Sequence, residues 1–161
     1  MFQKIIVAID QSDVSRQAFE QAVELAKQLK ARVMLVHVLS PFSPGYPNPI
    51  FPGTEGIYPG GYSEAMATFR QEWDTIERNG NELLQAWTQQ AIEAGVKTES
   101  TQPMGDPGQA ICLLAEQWQA DLIVLGRHGR KGFSELFFGS VSNFVMHHAP
   151  CSVLTVNPLP S

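Results

Sequence analysis

The sequence predicts an α/β fold, an open five-stranded parallel sheet with helices on both faces. Three observations carry that prediction. Short runs rich in Ile, Val and Leu alternate with segments whose apolar residues recur every three or four positions. The runs are apolar throughout rather than at alternate positions, as strands covered on both faces require. Glycines and cations follow the fourth run, at the strand end where open α/β sheets take their ligands.

The chain has 161 residues, enough for one domain with its own core, interrupted by an insertion at about 41–62. With 43% hydrophobic and 17% charged residues it has the composition of an ordinary soluble protein. A net charge of −5 argues against general nucleic-acid binding, which favours a basic surface. No apolar run reaches the ~20 residues of a membrane helix. Asp10 interrupts the first apolar run too early for a secretory signal, so a cytoplasmic protein is expected. Cys112 and Cys151 lack ligand spacing to a second Cys or His and read as buried free thiols of a reducing compartment.

The first strand, residues 4–10, is the run Ile5-Ile6-Val7-Ala8-Ile9 ending at Asp10. Ser12 is placed to cap a helix over 14–29, which carries Ala18, Ala22, Leu25, Ala26 and Leu29 on one face. The second strand is 32–39. Residues 40–62 hold six prolines and five glycines, together with aromatics such as Phe42, Tyr46, Phe51 and Tyr58. That density excludes a helix or central strand. The segment reads as a long loop that folds back through its aromatics, as a partner-binding surface, or as a loop with little fixed structure. A helix over 64–94 follows, with Phe69, Trp73, Ile76, Gly80, Leu83, Trp87 and Ala91 on its apolar stripe. A glycine on that stripe costs ~1 kcal/mol against alanine, so a close backbone contact or a kink is expected at Gly80. Residues 96–102 read as a polar edge strand. Asp106, Pro107 and Gln109 read as N-cap, N1 and N3 of a helix running to about 119. The fourth strand, 121–126, leads through a glycine-rich stretch to a short helix ending at His148, and the fifth runs from Cys151 to Val156.

Residues 126–140 hold Gly126, Gly129, Gly132 and Gly139 with Arg127, Arg130 and Lys131. Glycines after a strand bring bare N–H groups close to a ligand, and a helix start adds unpaired donors and partial positive charge. Together they describe a cradle for an anion, with phosphate the expected one. It is not a Walker A loop, for no GxxxxGK[ST] occurs, nor GxGxxG after the first strand. What stands there is Gly126-x2-Gly129, nine residues, then Gly139-Ser140.

At these residues the chain resembles the universal stress proteins, whose ATP-binding members carry G-x2-G-x9-G-[ST]. The resemblance extends through IIVAIDQS, the HV at the end of the second strand, Gly105-Asp106-Pro107, DLIVLGRHGRKG and HHAPCSVL, sparing only the insertion. It implies a Rossmann-like fold shared with adenine nucleotide alpha hydrolases. It implies that Ile9 and Asp10 line the adenosine end, that Val38 offers backbone contacts to the adenine edge, and that Met104 and Gly105 flank the base or ribose. Gly126, Arg127, His128, Gly129, Gly139, Ser140 and Val141 would surround the phosphates. The residues themselves suit this: an acceptor at a strand end can hold hydroxyls, and Ser140 can act as cap and phosphate donor at once. Gln11 stands where the family often has glycine, and His147 where it often has arginine.

The function implied is an ATP-binding regulatory or sensor module, with Mg2+ held through the phosphates. Alternatives are a binder of AMP, ADP or a cyclic nucleotide, a slow nucleotide hydrolase or nucleotidyl transferase, or an interaction protein acting through its aromatic insertion. No nucleophile–base pair is evident, so ATP hydrolysis would be incidental. The resemblance also implies a homodimer through the last strand and a protein partner the sequence does not name. His37 reads as a crevice wall, and His147 and His148 as cations suited to a helix C-terminus.

Overall fold

β1 (Lys4–Ala8) shows how alternation inside an apolar run builds two layers. Ile5 and Val7 point to one face of the sheet and Ile6 to the other, and all three are buried. The computed structural model describes residues 1–41, 43, 46–47, 59–127 and 139–160, the side chains of 59–62 excepted. After β1 come α1 (Asp13–Leu29), β2 (Arg32–Val36), α2 (Pro59–Glu93), β3 (Thr98–Thr101), α3 (Pro107–Trp118), β4 (Leu122–Gly126), α4 (Ser140–His148) and β5 (Ser152–Val156). The five strands form one parallel sheet in the order β3-β2-β1-β4-β5.

Ile5, Val7, Val33 and Leu35 pack against Ala18, Phe19, Ala22 and Ala26 of α1 and Leu84, Trp87 and Ala91 of α2. Ile6, Met34, Val36, Ile123 and Leu125 pack on the opposite face against Ile111 and Ala115 of α3 and Val145 of α4. The expected Rossmann-like α/β architecture, with helices on both faces, is the one observed. The chain runs outward from β1 to β2 and β3, then crosses to β4 and β5. β1 and β4 are therefore neighbours at the point where the strand order reverses, which opens a crevice at their carboxyl ends.

Local expectations hold where local chemistry decides. Ser12 caps α1 through its hydroxyl and the Ser15 N–H. Asp106 caps α3 by accepting from the Gln109 N–H at 3.0 Å, with Pro107 first in the helix. Gly80 is buried, and its backbone is approached closely, by the His37 and Gln102 side chains. The thiols Cys112 and Cys151 are free, though half-buried rather than buried.

Two boundaries are corrected. α2 begins at Pro59, inside the segment read as loop to 62. Proline is at home in a first helical turn, where its missing N–H has no intrahelical partner to lose. β2 ends at Val36, not Leu39, yet a bridge of Leu39 to Met104 continues the β2–β3 register three residues on. Residues 42, 44–45, 48–58 and 128–138 lie outside the described residues, so the reading of the insertion is visible only through Tyr46. Tyr46 does fold back, onto Trp73 of α2 with ring centroids 5.7 Å apart.

Candidate functional site

The turn after β1 is fixed by its own polar groups. The Asp10 N–H donates to Ser15 Oγ at 2.8 Å, and Asp10 Oδ1 accepts from the Ser12 N–H at 2.8 Å and from the Ser12 hydroxyl. With the Ser12–Ser15 cap, these bonds aim the chain away from the sheet just past Ile9.

That departure exposes β2. The Ile9 N–H makes the last bond to β2, at Val36 O, 2.9 Å. The N–H groups of His37 and Leu39 bond toward the β3 side, at Thr101 O and Pro103 O. In an extended chain the residue between them faces the other way. Val38 therefore presents its N–H and C=O toward the place β1 has vacated.

β4 ends at Gly126, where an added Cβ would stand 3.0 Å from the Val14 backbone carbon and from Val14 Cγ1. α4 then starts at Ser140 with Gly139 as N-cap and no side-chain cap bond. The sequence reading made Ser140 the cap; it is instead the first helical residue. Among the described residues its hydroxyl has no partner, and the first-turn N–H groups have no capping side chain. The buried Ser142 hydroxyl donates back to Gly139 O at 3.0 Å and fixes that start.

These pieces enclose a cavity of about 380 Å3. Ile9, Asp10, Val38, Gly126, Gly139, Ser140 and Val141, all anticipated from sequence, line it. Met104 and Gly105 do not. They line an adjoining groove with Thr101, Asp106 and Leu113, and Met104 is 59% exposed. Gly105 serves the backbone there: its φ of 145° suits glycine, and its N–H donates to Leu39 O at 2.8 Å. The Arg127 N–H extends the β4–β5 ladder to Val156 O at 2.8 Å, and Arg127 is not among the residues lining the cavity. His128 and Gly129 lie outside the described residues.

Sequence reasoning missed Ser15, Ser40, Ser43 and Tyr46 in the cavity wall. Ser15 stands at N3 behind a Ser12 cap, so a capping-box search was the signal that could have found it. Tyr46 had none, since only the tertiary fold brings it back over β2. His37 is a wall residue as expected, its Nδ1 2.9 Å from Gln102 Oε1. Gln102 Nε2 donates on to Glu77 O of α2 at 3.1 Å. Oε1 is then the acceptor of that amide, so His37 carries its proton on Nδ1.

Chemically, the cavity offers a carboxylate, several hydroxyls, a backbone donor–acceptor pair at Val38 and an uncapped helix start. The donor–acceptor pair matches the edge of a purine, and the helix start matches an anion.

Comparison with known proteins gives consistent results. A family model described as the universal stress protein family matches residues 1–157. Universal stress protein Sll1388 of Synechocystis sp. (strain PCC 6803) is 37% identical over 157 residues, covering 95% of this chain and 96% of its own. Among solved structures, hypothetical protein MJ0577 superposes with a TM-score of 0.75 at 19% identity, covering 100% of this chain and 99% of that one. A universal stress protein family protein from Arabidopsis thaliana with AMP bound gives 0.63 at 24% identity, covering 96% and 91%.

Proposed function

This chain belongs to the universal stress protein family, and on that premise we propose that it is an adenine-nucleotide-binding regulatory module of the cytoplasm. The observation that carries the reading is the cavity at the carboxyl ends of β1, β2 and β4, with the uncapped start of α4 on its wall. The base lies against Val38, the ribose hydroxyls against Asp10, and the phosphates over Gly139, Ser140 and Val141. The AMP held by the Arabidopsis neighbour supports the ligand class. ATP is the first choice within it, and Mg2+ arrives on its phosphates.

Titration calorimetry with ATP, ADP, AMP and cyclic AMP tests the class and ranks the ligands. Gly139→Val puts a side chain in the phosphate approach and is expected to abolish binding, whereas unchanged affinity would sink the site. Binding, not turnover, is the proposed activity. Product formation from ATP near ~1 s⁻¹, within the ordinary enzyme range, would overturn that.

The proposed assembly is a homodimer through the outer edge of β5, where Leu154 is 38% exposed. Light scattering should then read twice the 17.8 kDa of the chain, and the single-chain mass at micromolar concentration would refute it.

A further inference from the structure

Val38 O is not an idle acceptor: the Tyr46 hydroxyl donates to it at 3.3 Å. Tyr46 also lines the cavity and rests against Trp73. One side chain thus holds a carbonyl two residues past β2 and a ring of α2 together. Among the described residues no backbone group pairs with the Val38 N–H, so only the acceptor half of the pair is taken.

We propose that Tyr46 is a specificity-determining residue of this cavity, competing for Val38 O with the exocyclic amino group of a purine. The inference rests on the nucleotide reading above. A 6-aminopurine presents a donor beside a ring-nitrogen acceptor, the complement of Val38 C=O and N–H. To seat itself it takes Val38 O from the Tyr46 hydroxyl. A 6-oxopurine presents an acceptor and a donor in the reverse order; in the same pose it sets its carbonyl oxygen against Val38 O, acceptor to acceptor, and leaves the Tyr46 bond in place. The tyrosine therefore sets a threshold felt only by amino-bearing bases, and its release from Val38 loosens its contact with Trp73.

The test compares AMP with inosine monophosphate on the full chain, wild type and Tyr46→Phe, by calorimetry. Phenylalanine keeps the ring against Trp73 and removes only the competing donor. AMP should bind Tyr46→Phe about threefold to tenfold more tightly, the range of one net hydrogen bond, with inosine monophosphate unchanged. A second readout is tryptophan emission, which AMP should change in the wild type and not in Trp73→Phe, while both proteins still bind. Equal AMP affinity in wild type and Tyr46→Phe overturns the proposal, and so does an equal shift for both nucleotides, which marks a packing effect. Weaker AMP binding by Tyr46→Phe overturns it too, by making the hydroxyl a ligand contact. If the wild type binds AMP and any of these results appears, only this proposal falls. If the wild type binds no adenine nucleotide, the nucleotide reading falls and takes this one with it.

Discussion

A methyl group at Gly80 would stand 2.1 Å from Gln102 Oε1 and 2.6 Å from His37 Nδ1. Two effects oppose each other there. Alanine gains ~1 kcal/mol of helix propensity over glycine, but it must part the His37–Gln102 pair and turn the imidazole. Gly80→Ala should therefore lower stability, by about 1 kcal/mol or more as overpacking costs go. In a His37→Ala, Gln102→Ala background the same change should raise it. Denaturant midpoints of the four proteins check the sign reversal, and the same sign in both backgrounds would refute the steric account. The thiols give a second residue-scale expectation. Burial pushes Cys112 up from its ordinary range. Cys151 is pushed up by burial first, then by the Asp121 carboxylate and by Cys112. Raised folded values mean a contribution to stability that is complete below the unfolded value, about 8.5, and is lost as pH rises through the folded values. Replacing both by alanine should flatten the fall in stability above that pH, and alkylation of the native thiols at pH 8 should be slower than that of free cysteine.

At the scale of elements, α4 depends on α3. A Cβ on the buried Gly108 would stand 2.6 Å from Phe144 Cδ1, so glycine is what lets the two helices close. Phe144 in turn stacks on His148 at 4.1 Å, and His148 Nδ1 meets Phe144 O at the helix end. Gly108→Ala should shift α4, and with it the helix start that faces the cavity, weakening nucleotide binding as well as stability. Removing the α3 cap with Asp106→Ala should cost about 1 kcal/mol, and thermal unfolding would show it. These elements also show what a sequence discloses. The Asp106-Pro107 start, the Ser12 cap and the apolar stripe of α2 are local patterns, each decided within a few residues. Gly126 was legible as a necessary glycine but not for its reason, because Val14 is distant in sequence and meets it only through packing. The Pro59 start was obscured by prolines and glycines that read equally as loop. Tyr46 over Val38 depends on two segments meeting, and no periodicity encodes that.

For the whole molecule, the two ends of the sheet do different work. At the amino ends, the Asp121 carboxylate accepts from the Gln3 and Lys4 N–H groups, and Lys4 Nζ donates to Trp118 O. At the carboxyl ends lies the cavity. Asp121→Ala should lower the unfolding temperature while leaving nucleotide affinity unchanged, and a fall in affinity with stability would refute that separation. The length of α2 belongs to this scale as well. Its 35 residues span about 52 Å, against about 17 Å for a five-residue strand. Among the described residues, only the part from Gly80 onward seats buried residues on the sheet, while Trp73 and the turns before it continue past the carboxyl edge. Geometrically that is a lever with its fulcrum at Gly80 and an arm of about 30 Å, met among the described residues by Gln102 at Glu77 O and by Tyr46 at Trp73. A tilt of about 10° at the fulcrum would sweep the tip of such an arm through about 5 Å.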